Sequence, residues 1–415
     1  MKTTLRHCMA LVLCMATGIC LIFPNLALAD NYRWAENTVV DKADFYEEGE
    51  HALLPQATSV TPLDLSLEML YFCEYESGLN YDEGLGPGDD YHAMGAFQID
   101  NRYGLGEFIS ACYHYNPQRY HMFAQFEGRD LSVDLHVEDG FTELGYSLNE
   151  AWHAAYAANP VEFSQLQNGY AYDNYYLQAR SFLMSKGVNI DVRADCVKGL
   201  CWGMCNLFGP SGWQWFFNGS GASESLGDRE FAATLANYVS QHVAERYPNQ
   251  SQYWNGWSRR YRNELIDCLG FLDSRIVVAH NVLAMHRLYN HNSGEHFYTA
   301  STDERNGLIL AGWSYETIGW FAPSGSNTPV YRLYNPMDGD HHYTIDANER
   351  GALVALGWKD EGIGWYSDDG KTYPLYRQYN PNAKTGTHNY TASKAENDFL
   401  IANGWHEEGI GWYAV

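Results

Sequence analysis

Basic residues are scarce in this sequence, which has 26 lysines and arginines against 51 aspartates and glutamates and a formal net charge of −25. Nucleic-acid binding needs clustered cations that neutralise phosphate groups, so the composition argues against a nucleic-acid partner. The same excess of acid argues against electrostatic adhesion to an anionic surface. Contact with a polymer would therefore rely on hydrogen bonds and aromatic stacking, for which the chain offers 13 Trp and 32 Tyr.

Long apolar runs are also missing, apart from one near the start, at residues 9–23. This run follows Lys2 and Arg6 and precedes an A-x-A sequence that ends at Ala29, the pattern of a cleaved secretory signal peptide. We expect a signal peptide over residues 1–29 and a secreted, extracellular mature chain with no membrane insertion. Cleavage would remove two of the 26 basic residues and none of the 51 acidic ones, which leaves a net charge of −27.

Cysteine is absent after Cys268, and three of the nine cysteines fall within the predicted signal peptide. The six that remain are Cys73, Cys112, Cys196, Cys201, Cys205 and Cys268. An even number in an exported chain indicates three disulfides, whose pairing the spacing does not fix. The alternative is a metal site formed by Cys196, Cys201 and Cys205, but the spacing of these three cysteines is not a standard zinc pattern. We expect no metal and no other cofactor.

The stretch FCEYESGLNYDEGLGPGDDYHAMGAFQID, residues 72–100, carries the candidate chemistry. Glu76 ends a predicted helix whose start we place at Thr61 and Pro62, a hydroxyl cap followed by a proline at the first helical position. Met69 precedes Glu76 by seven residues, so the carboxyl closes an apolar stripe. Because an apolar environment disfavours the charged form and raises the pKa of a carboxyl, Glu76 is our candidate general acid.

This stretch resembles a known signature. An E-S-G at a helix end, then a loop, then G-A-F-Q-I is similar to the pattern of lysozyme-like lytic transglycosylases and goose-type lysozymes. The resemblance implies that Glu76 protonates the glycosidic oxygen of peptidoglycan, and that two later aspartates position the attacking water. Asp89 and Asp100 follow Glu76 at similar intervals. Inverting glycosidases need a base about 6.5 to 9.5 Å from the acid, a distance that sequence spacing does not fix.

The candidate site therefore has a catalytic set and a substrate-binding set. The catalytic candidates are Glu76, Asp89 and Asp100. The substrate-binding candidates are Ser77, Tyr91, Gln98 and Asp90, the last of which is also the substitute for Asp89. Gln98 is expected to brace the cleft or contact substrate rather than react.

We predict a multidomain chain in which a lead-in over residues 30–60 precedes a mainly α-helical domain over residues 61–272. The resemblance implies that this domain is lysozyme-like. Its helices are predicted at residues 104–114, 149–158, 161–184, 191–207, 228–247 and 253–272, with a break at Gly209 and Pro210 in a buried apolar segment. A linker over residues 273–284 follows.

Three similar copies make up the rest of the chain, at residues 285–329, 330–374 and 375–415. They begin with MHRLYN, VYRLYN and LYRQYN, and each continues with a histidine, a Tyr-Thr pair and a Gly-Trp. Such repetition predicts an array in which one copy cannot bury its own apolar face. We expect a β-rich pseudo-threefold domain, with a β-trefoil as the first hypothesis and another repeat barrel as the second.

The copies resemble RLYNP-x-GEHFYT repeats found beside catalytic domains in secreted proteins of Gram-positive bacteria, which implies a wall-targeting or glycan-targeting accessory. The ligand candidates in the copies are His296, Tyr298, His341, Tyr343, His388 and Tyr390. A structural role for them, packing or bonding backbone, is the competing interpretation.

Two functional classes stay open. The first is a secreted, cell-wall-associated glycosidase, monomeric, that cuts peptidoglycan or a related amino-sugar polymer between its sugars. Within it, the two aspartates favour a muramidase over a lytic transglycosylase. The second is a glycan-binding or adhesion protein that keeps the scaffold without the reaction. An endopeptidase is disfavoured because no Cys-His or zinc-ligand constellation is apparent.

Overall fold

The computed structural model describes residues 59–87, 91–138, 140–276 and 281–415. The predicted signal peptide, residues 30–58 of the lead-in and residues 277–280 of the linker lie outside the described residues. Among the helices of the described ranges, none is both long enough and apolar enough to cross a bilayer.

Residues 59–276 are mainly helical. The α-helices are α1 (Leu67–Leu70), α2 (Leu105–Tyr115), α3 (Glu143–Ala158), α4 (Pro160–Ala171), α5 (Leu177–Ser185), α6 (Asp195–Ser220), α7 (Asp228–Arg246) and α8 (Trp254–Asp273). Short 3₁₀ turns cover Tyr71–Tyr75, His121–Phe126 and Ile190–Val192, and a π-helical turn covers Tyr172–Tyr176. Two small hairpins interrupt them, β1 (Ala93–Met94) with β2 (Ile99–Asp100), and β3 (His136–Val137) with β4 (Gly140–Phe141).

The first helix begins later than predicted. Its N-cap is Ser66, whose Oγ accepts a hydrogen bond from the backbone N–H of Met69 at 3.2 Å. The start at Thr61 and Pro62 is therefore wrong. The preceding segment instead lies against α4, where the N–H of Leu63 donates to the carbonyl of Gln165 at 2.9 Å. Both serine and threonine can cap a helix, so the hydroxyl at residue 61 did not discriminate between the two starts.

The break predicted in the buried apolar segment is confirmed. Helix α6 runs through it, but Gly209 has φ 66° and ψ 175°, which are not helical values. Glycine adopts such a backbone without steric cost, and the following proline removes one hydrogen-bond donor. Helix α3 also starts earlier than predicted, because Thr142 caps it and Asn149 lies inside it.

The six cysteines of the described chain are buried thiols, and the structure contains none of the three predicted disulfides. Cys268 on α8 lies beside Cys196 on α6, and this neighbour together with burial raises the pKa of the Cys268 thiol. These side chains contribute to the apolar interior of the helical part.

Residues 281–415 form three copies of one unit, each with a three-stranded antiparallel sheet and a helix. The first copy has β5 (Val282–Tyr289), β6 (His296–Thr299), α9 (Thr302–Leu310) and β7 (Ser314–Pro323). The second has β8 (Pro329–Asn335), β9 (Asp340–Thr344), α10 (Ala347–Ala355) and β10 (Lys359–Tyr366). The third has β11 (Tyr373–Tyr379), β12 (His388–Thr391), α11 (Lys394–Ala402) and β13 (His406–Ala414).

In every copy the first strand is the middle one of its sheet, and the strand orders are β6-β5-β7, β9-β8-β10 and β12-β11-β13. Within the described ranges these are separate small sheets and form no closed barrel. The predicted order of a helical part followed by a β-rich region of three copies is therefore confirmed at this coarser level.

One core connects the helical part to the first copy. Side chains of α6, α7 and α8 share a buried cluster with Leu288, Phe297, Ile309 and Tyr315 of that copy. A second cluster fills the space around α2, α3 and α4 and includes the hairpin β1–β2. A third lies between the three copies.

Candidate active site and the repeat region

Glu76 lies where the sequence places it, at the end of a helical turn. It caps the 3₁₀ turn Tyr71–Tyr75, and its backbone N–H donates to the carbonyl of Cys73 at 3.1 Å. Phe72 and Cys73 in that turn are fully buried, and the Glu76 side chain is only 5% exposed. The carboxyl is thus withdrawn from solvent.

Glu76 pairs with a cation that the sequence analysis did not identify. Nη2 of Arg260, on α8, lies 2.7 Å from Oε1 of Glu76. The expectation of apolar surroundings is therefore corrected, because a guanidinium at this distance favours the ionised carboxylate. The pairing joins residues 184 positions apart, which no local pattern could indicate.

Arg260 is shared with a second carboxyl. Its Nε donates to Oε1 of Glu264, one turn further along α8, at 2.7 Å. The Glu264 side chain is 0% exposed, and its Oε2 has no hydrogen-bond partner among the described residues. Burial raises the pKa of Glu264 to about 7, although Arg260 opposes the shift. We call Glu76, Arg260 and Glu264 the Glu76 cluster.

A signal for Glu264 was present in the sequence. It lies on the apolar face of α8 with Trp257, Tyr261, Leu265 and Cys268, all buried at helical spacing. A glutamate on such a face is buried with the rest of the stripe unless the helix is displaced. A buried carboxyl in turn needs a charged or hydrogen-bonding partner.

Ser77 connects the Glu76 turn to the second half of the signature. Its Oγ donates to the carbonyl of Ala96 at 3.0 Å and accepts from the N–H of Asn80 at 3.2 Å. The E-S-G and G-A-F-Q-I segments are therefore held together. Ser77 serves as a brace in this structure, and its predicted contact with substrate stays a prediction.

The G-A-F-Q segment is the turn of the hairpin β1–β2. Gly95 has φ +74°, and a Cβ at this position would lie 2.3 Å from Oε1 of Gln167 and 2.6 Å from Cζ2 of Trp152. That same Oε1 accepts the N–H of Ala96 at 3.1 Å. Gln98 donates from Nε2 to the carbonyl of Gly95 at 2.9 Å, so it braces the turn.

Phe97 fixes the hairpin to the core. Its ring stacks on Trp202 of α6 with centroids 5.3 Å apart, and Phe72 contacts the same indole at 5.3 Å. Trp202 is fully buried, so it supports the hairpin from behind. The two halves of the signature and α6 thus form one packed unit.

Asp100 is also paired with an arginine. It ends β2, and Arg102 contacts its two carboxylate oxygens through Nε at 3.0 Å and Nη2 at 2.7 Å. The backbone N–H of Arg102 adds a third bond at 2.8 Å. The Asp100 side chain is 8% exposed. A carboxylate held on this many donors is well suited to fix a loop.

Asp89 and Asp90 lie outside the described residues. Tyr91, just after them, has φ +63° and stacks on His136 of β3 with centroids 3.7 Å apart and planes 6° apart. Phe141 of β4 meets the same tyrosine edge-on at 5.7 Å. Tyr91 thus belongs to a partly exposed aromatic group that the sequence analysis did not assemble.

A cavity of about 420 Å³ lies elsewhere on the helical part, between residues 63–69 and the side chains of Tyr172, Tyr176, Asp195 and Lys198. Neither Glu76 nor Asp100 lines it. We base the candidate active site on the Glu76 turn and the hairpin, because the cavity lacks the signature residues.

In the repeat region, the Tyr-Thr tyrosines lie at the centre. The rings of Tyr298, Tyr343 and Tyr390 are 5.6 to 5.8 Å apart and at most 1% exposed. Each hydroxyl bonds the backbone of another copy: Tyr298 donates to the carbonyl of Tyr390 at 3.1 Å, Tyr390 to that of Tyr343 at 2.9 Å, and Tyr343 accepts the N–H of Tyr298 at 3.2 Å. This arrangement favours the structural interpretation of the tyrosines.

Ion pairs also connect each of the three copies to another copy. The arginine on the first strand of each copy binds the helix glutamate of another copy. The pairs are Arg332 with Glu304 at 3.0 Å, Arg377 with Glu349 at 2.7 Å, and Arg287 with Glu396 at 2.9 Å. The last pair joins the first copy to the third, so the connections form a closed cycle. We call these three pairs the Arg–Glu cycle.

Residues 284–415 match the family model of a domain of unknown function (DUF5648). The match covers less than half of the chain and coincides with the three copies, and we call residues 284–415 the DUF5648 region. No curated protein matches the chain.

The three candidate histidines of the DUF5648 region are mostly buried, and each lies beside a glutamate. His296 is 3.6 Å from Glu316, and His388 is 3.2 Å from Glu408. His341 bonds Glu295 of the first copy through Nδ1 at 2.6 Å. Their side chains are 13 to 18% exposed. The three imidazoles thus have separate partners, and their role as ligand contacts stays a prediction.

The DUF5648 region meets the helical part through a charged contact. Asp273 at the end of α8 binds Arg229 of α7 and Arg305 of α9, each at 2.7 Å. Asn237 donates to the carbonyl of Tyr315 at 2.8 Å, and the Tyr315 hydroxyl lies 3.2 Å from Nδ1 of His286. Burial lowers the pKa of His286 to about 3. His286 is therefore neutral at the pH values at which most proteins are stable.

Proposed function

We propose that this chain is a secreted, cell-wall-associated peptidoglycan glycosidase that cleaves the glycan strand between amino sugars. The DUF5648 region would serve as its wall-targeting or glycan-targeting module. The proposal depends above all on one observation. A buried glutamate opens the E-S-G segment, and Ser77 joins that segment to the G-A-F-Q-I hairpin. The contact between these two segments, which together resemble the lysozyme-like signature, supports the proposal.

In this proposal Glu76 gives its proton to the glycosidic oxygen, and a second carboxylate positions water on the opposite face of the sugar. Asp89 and Asp100 are the candidates for that role. Asp100 is engaged by Arg102, which leaves Asp89 as the preferred base. A water nucleophile would make the enzyme a muramidase, whereas attack by the sugar's own 6-hydroxyl would make it a lytic transglycosylase.

The finer fold assignments belong to the same proposal. The helical part would be lysozyme-like, with the hairpin β1–β2 as the small β element beside the acid. For the DUF5648 region, three separate sheets around a common centre favour a repeat array other than a β-trefoil. Its binding partner would be peptidoglycan or a related amino-sugar polymer, and the protein would act as a monomer.

The test is digestion of purified sacculi by the full-length mature protein and by Glu76→Gln. The wild type should release muropeptides and the variant should release at least 100-fold less, since a missing general acid costs about 10² to 10⁴ in rate. Mass spectrometry of the products separates the two reactions, because reducing ends identify a muramidase and anhydro ends a lytic transglycosylase. Equal release by the two proteins would show that Glu76 is not the acid.

A second candidate function has one specific observation in its favour. Arg260 occupies Glu76 in a buried ion pair, and such pairs also serve structure alone. The chain would then be a glycan-binding or adhesion protein on a lysozyme-like scaffold. It would bind sacculi in a sedimentation assay, and neither the wild type nor Glu76→Gln would release muropeptides.

A further inference from the structure

We propose that Glu264 is a positioning residue for Glu76, because by sharing Arg260 it allows Glu76 to hold the proton that a general acid must donate. This inference rests on the proposed glycosidase function. It assigns a role to a residue outside the signature, at the far end of the helical part in sequence.

The first support for this inference is the position of Arg260 between the two carboxyls. One guanidinium contacts both carboxyls, with Nη2 at 2.7 Å from Glu76 and Nε at 2.7 Å from Glu264. Arg260 and Glu264 are four residues apart on α8, so one helix face holds them in register. The three side chains are 12%, 5% and 0% exposed for Arg260, Glu76 and Glu264, which leaves little solvent to screen their charges.

Charge balance carries it further. Counted over the three side chains of the Glu76 cluster, two ionised carboxylates and one guanidinium carry a net charge of −1, and a buried charge without compensation is costly. The cluster is therefore expected to retain one proton near neutral pH, shared between two coupled groups. The raised pKa of Glu264, about 7, agrees with this picture.

Three other titratable groups lie around Glu264, and they either add negative charge or stay neutral near pH 7. Asp267 on α8 adds a further negative charge that disfavours ionisation of Glu264. Its carboxylate accepts a hydrogen bond from the Tyr75 hydroxyl at 2.5 Å. Tyr71 on the 3₁₀ turn and Tyr261 on α8 are buried, which raises the pKa of both phenols well above 10, so they stay neutral.

Removal of the Glu264 carboxyl should therefore shift the pH dependence of activity in a predictable direction. In Glu264→Gln, Arg260 faces Glu76 alone and stabilises its carboxylate, so Glu76 loses its proton at lower pH. A general acid works only while protonated, and activity falls as pH rises through its pKa. The alkaline limb of the activity profile should therefore move to lower pH. Removal of the guanidinium in Arg260→Met should move the limb to higher pH.

The experiment measures muropeptide release from sacculi between pH 4.5 and 8.5. The proteins are full-length mature wild type, Glu264→Gln, Arg260→Met and the control Asp398→Asn, which removes an exposed i,i+4 pair with Lys394 in the third copy. We expect the limb of Glu264→Gln to lie about one pH unit lower, which is a tenfold loss of rate on that limb. The limb of Arg260→Met should lie higher, and Asp398→Asn should follow the wild type.

The outcomes separate the two proposals. If wild type is active and the limb of Glu264→Gln does not move, or its rate drops equally at every pH, the positioning role is wrong and the glycosidase stands. If wild type releases nothing at any pH, the proposed function is wrong and this inference with it. If Glu264→Gln does not fold, the test is the alkaline limb of Arg260→Met. A shift of that limb to higher pH supports the inference, and a limb that does not move overturns it.

Discussion

Replacement of Gly95 by alanine tests whether the hairpin turn is as tightly enclosed as the structure indicates. Gly95 has φ +74°, a backbone that costs an L-residue about 1 to 2 kcal/mol. The new methyl would also lie 2.3 Å from Oε1 of Gln167 and 2.6 Å from the Trp152 ring. Overpacking of this kind costs about 1 to 3 kcal/mol, so the total loss of unfolding free energy should be about 4 kcal/mol.

Gly128→Ala is the matched control. Gly128 has φ +70°, but no heavy atom lies within 4 Å of the Cβ that alanine would add. Only the backbone cost should appear there, about 1.5 kcal/mol. The difference between the two variants, about 2.5 kcal/mol, isolates the crowding around the turn.

Urea denaturation followed by tryptophan fluorescence would measure both variants. Trp152 and Trp202 lie in the core that holds the hairpin, so their emission reports on its unfolding. With a slope of about 3 kcal/mol per molar urea, the midpoint should fall by more than 1 M in Gly95→Ala and by about 0.5 M in Gly128→Ala. Equal midpoints would refute the close contact with Gln167 and Trp152. Muropeptide release should also drop in Gly95→Ala, because Ala96 anchors Ser77 beside Glu76.

Two further predictions concern the DUF5648 region. Tyr343→Phe removes the hydroxyl that accepts the buried N–H of Tyr298, and it should cost about 1 to 3 kcal/mol in urea denaturation. Tyr373→Phe, at an exposed position, should change the midpoint little, and a larger effect there would contradict this account of the centre. His286 has a folded pKa of about 3, below its ordinary value of 6.5, so the unfolded chain binds the proton first as pH falls. Stability should therefore decline from about pH 6.5 towards 3, by up to about 1.4 kcal/mol per pH unit from this group. His286→Gln should show a smaller decline than wild type, and identical slopes would contradict the assignment.

Local patterns predicted much of the helical part because they report short-range physics. The ends of α7 and α8 lie within one residue of their predicted positions, and the Gly209 break is where glycine and proline indicated it. The predicted start of α1 was wrong because two hydroxyl residues, Thr61 and Ser66, could each cap the helix. Ser66 is the cap in the structure, and its hydroxyl also donates to Asp195 on α6 at 2.7 Å.

The candidate site was predicted only in part, since its partners come from distant sequence. Position and burial of Glu76 follow from the apolar turn before it, but Arg260 is 184 positions away. Arg102 was nearer, two residues beyond Asp100, and it could have been considered as its partner. The cysteines were predicted to pair from their even number in an exported chain, and the structure shows all six buried without a disulfide among the described residues, so the pairing stays a prediction.

The repeats were the easiest feature to find and the hardest to assign. Repetition of Tyr-Thr and Gly-Trp predicted that one copy cannot bury its own apolar face, and the structure places the tyrosines and tryptophans of all three copies in one buried cluster. Repetition did not distinguish a residue that serves the fold from one that contacts a ligand. The burial of Tyr298, Tyr343 and Tyr390 makes that distinction for the tyrosines, whereas a ligand role for the three candidate histidines stays a prediction.

The Arg–Glu cycle limits how this region can evolve. In a linear array a unit can be deleted or duplicated at either end, and the remaining units keep their neighbours. Here Arg287 pairs with Glu396 from the last copy as well as with Glu316 of its own, so a shortened chain would lose the pair between copies, and a fourth copy would have to break an existing pair to enter. We therefore expect three to be the favoured copy number, and the region to be gained or lost in genomes as a whole.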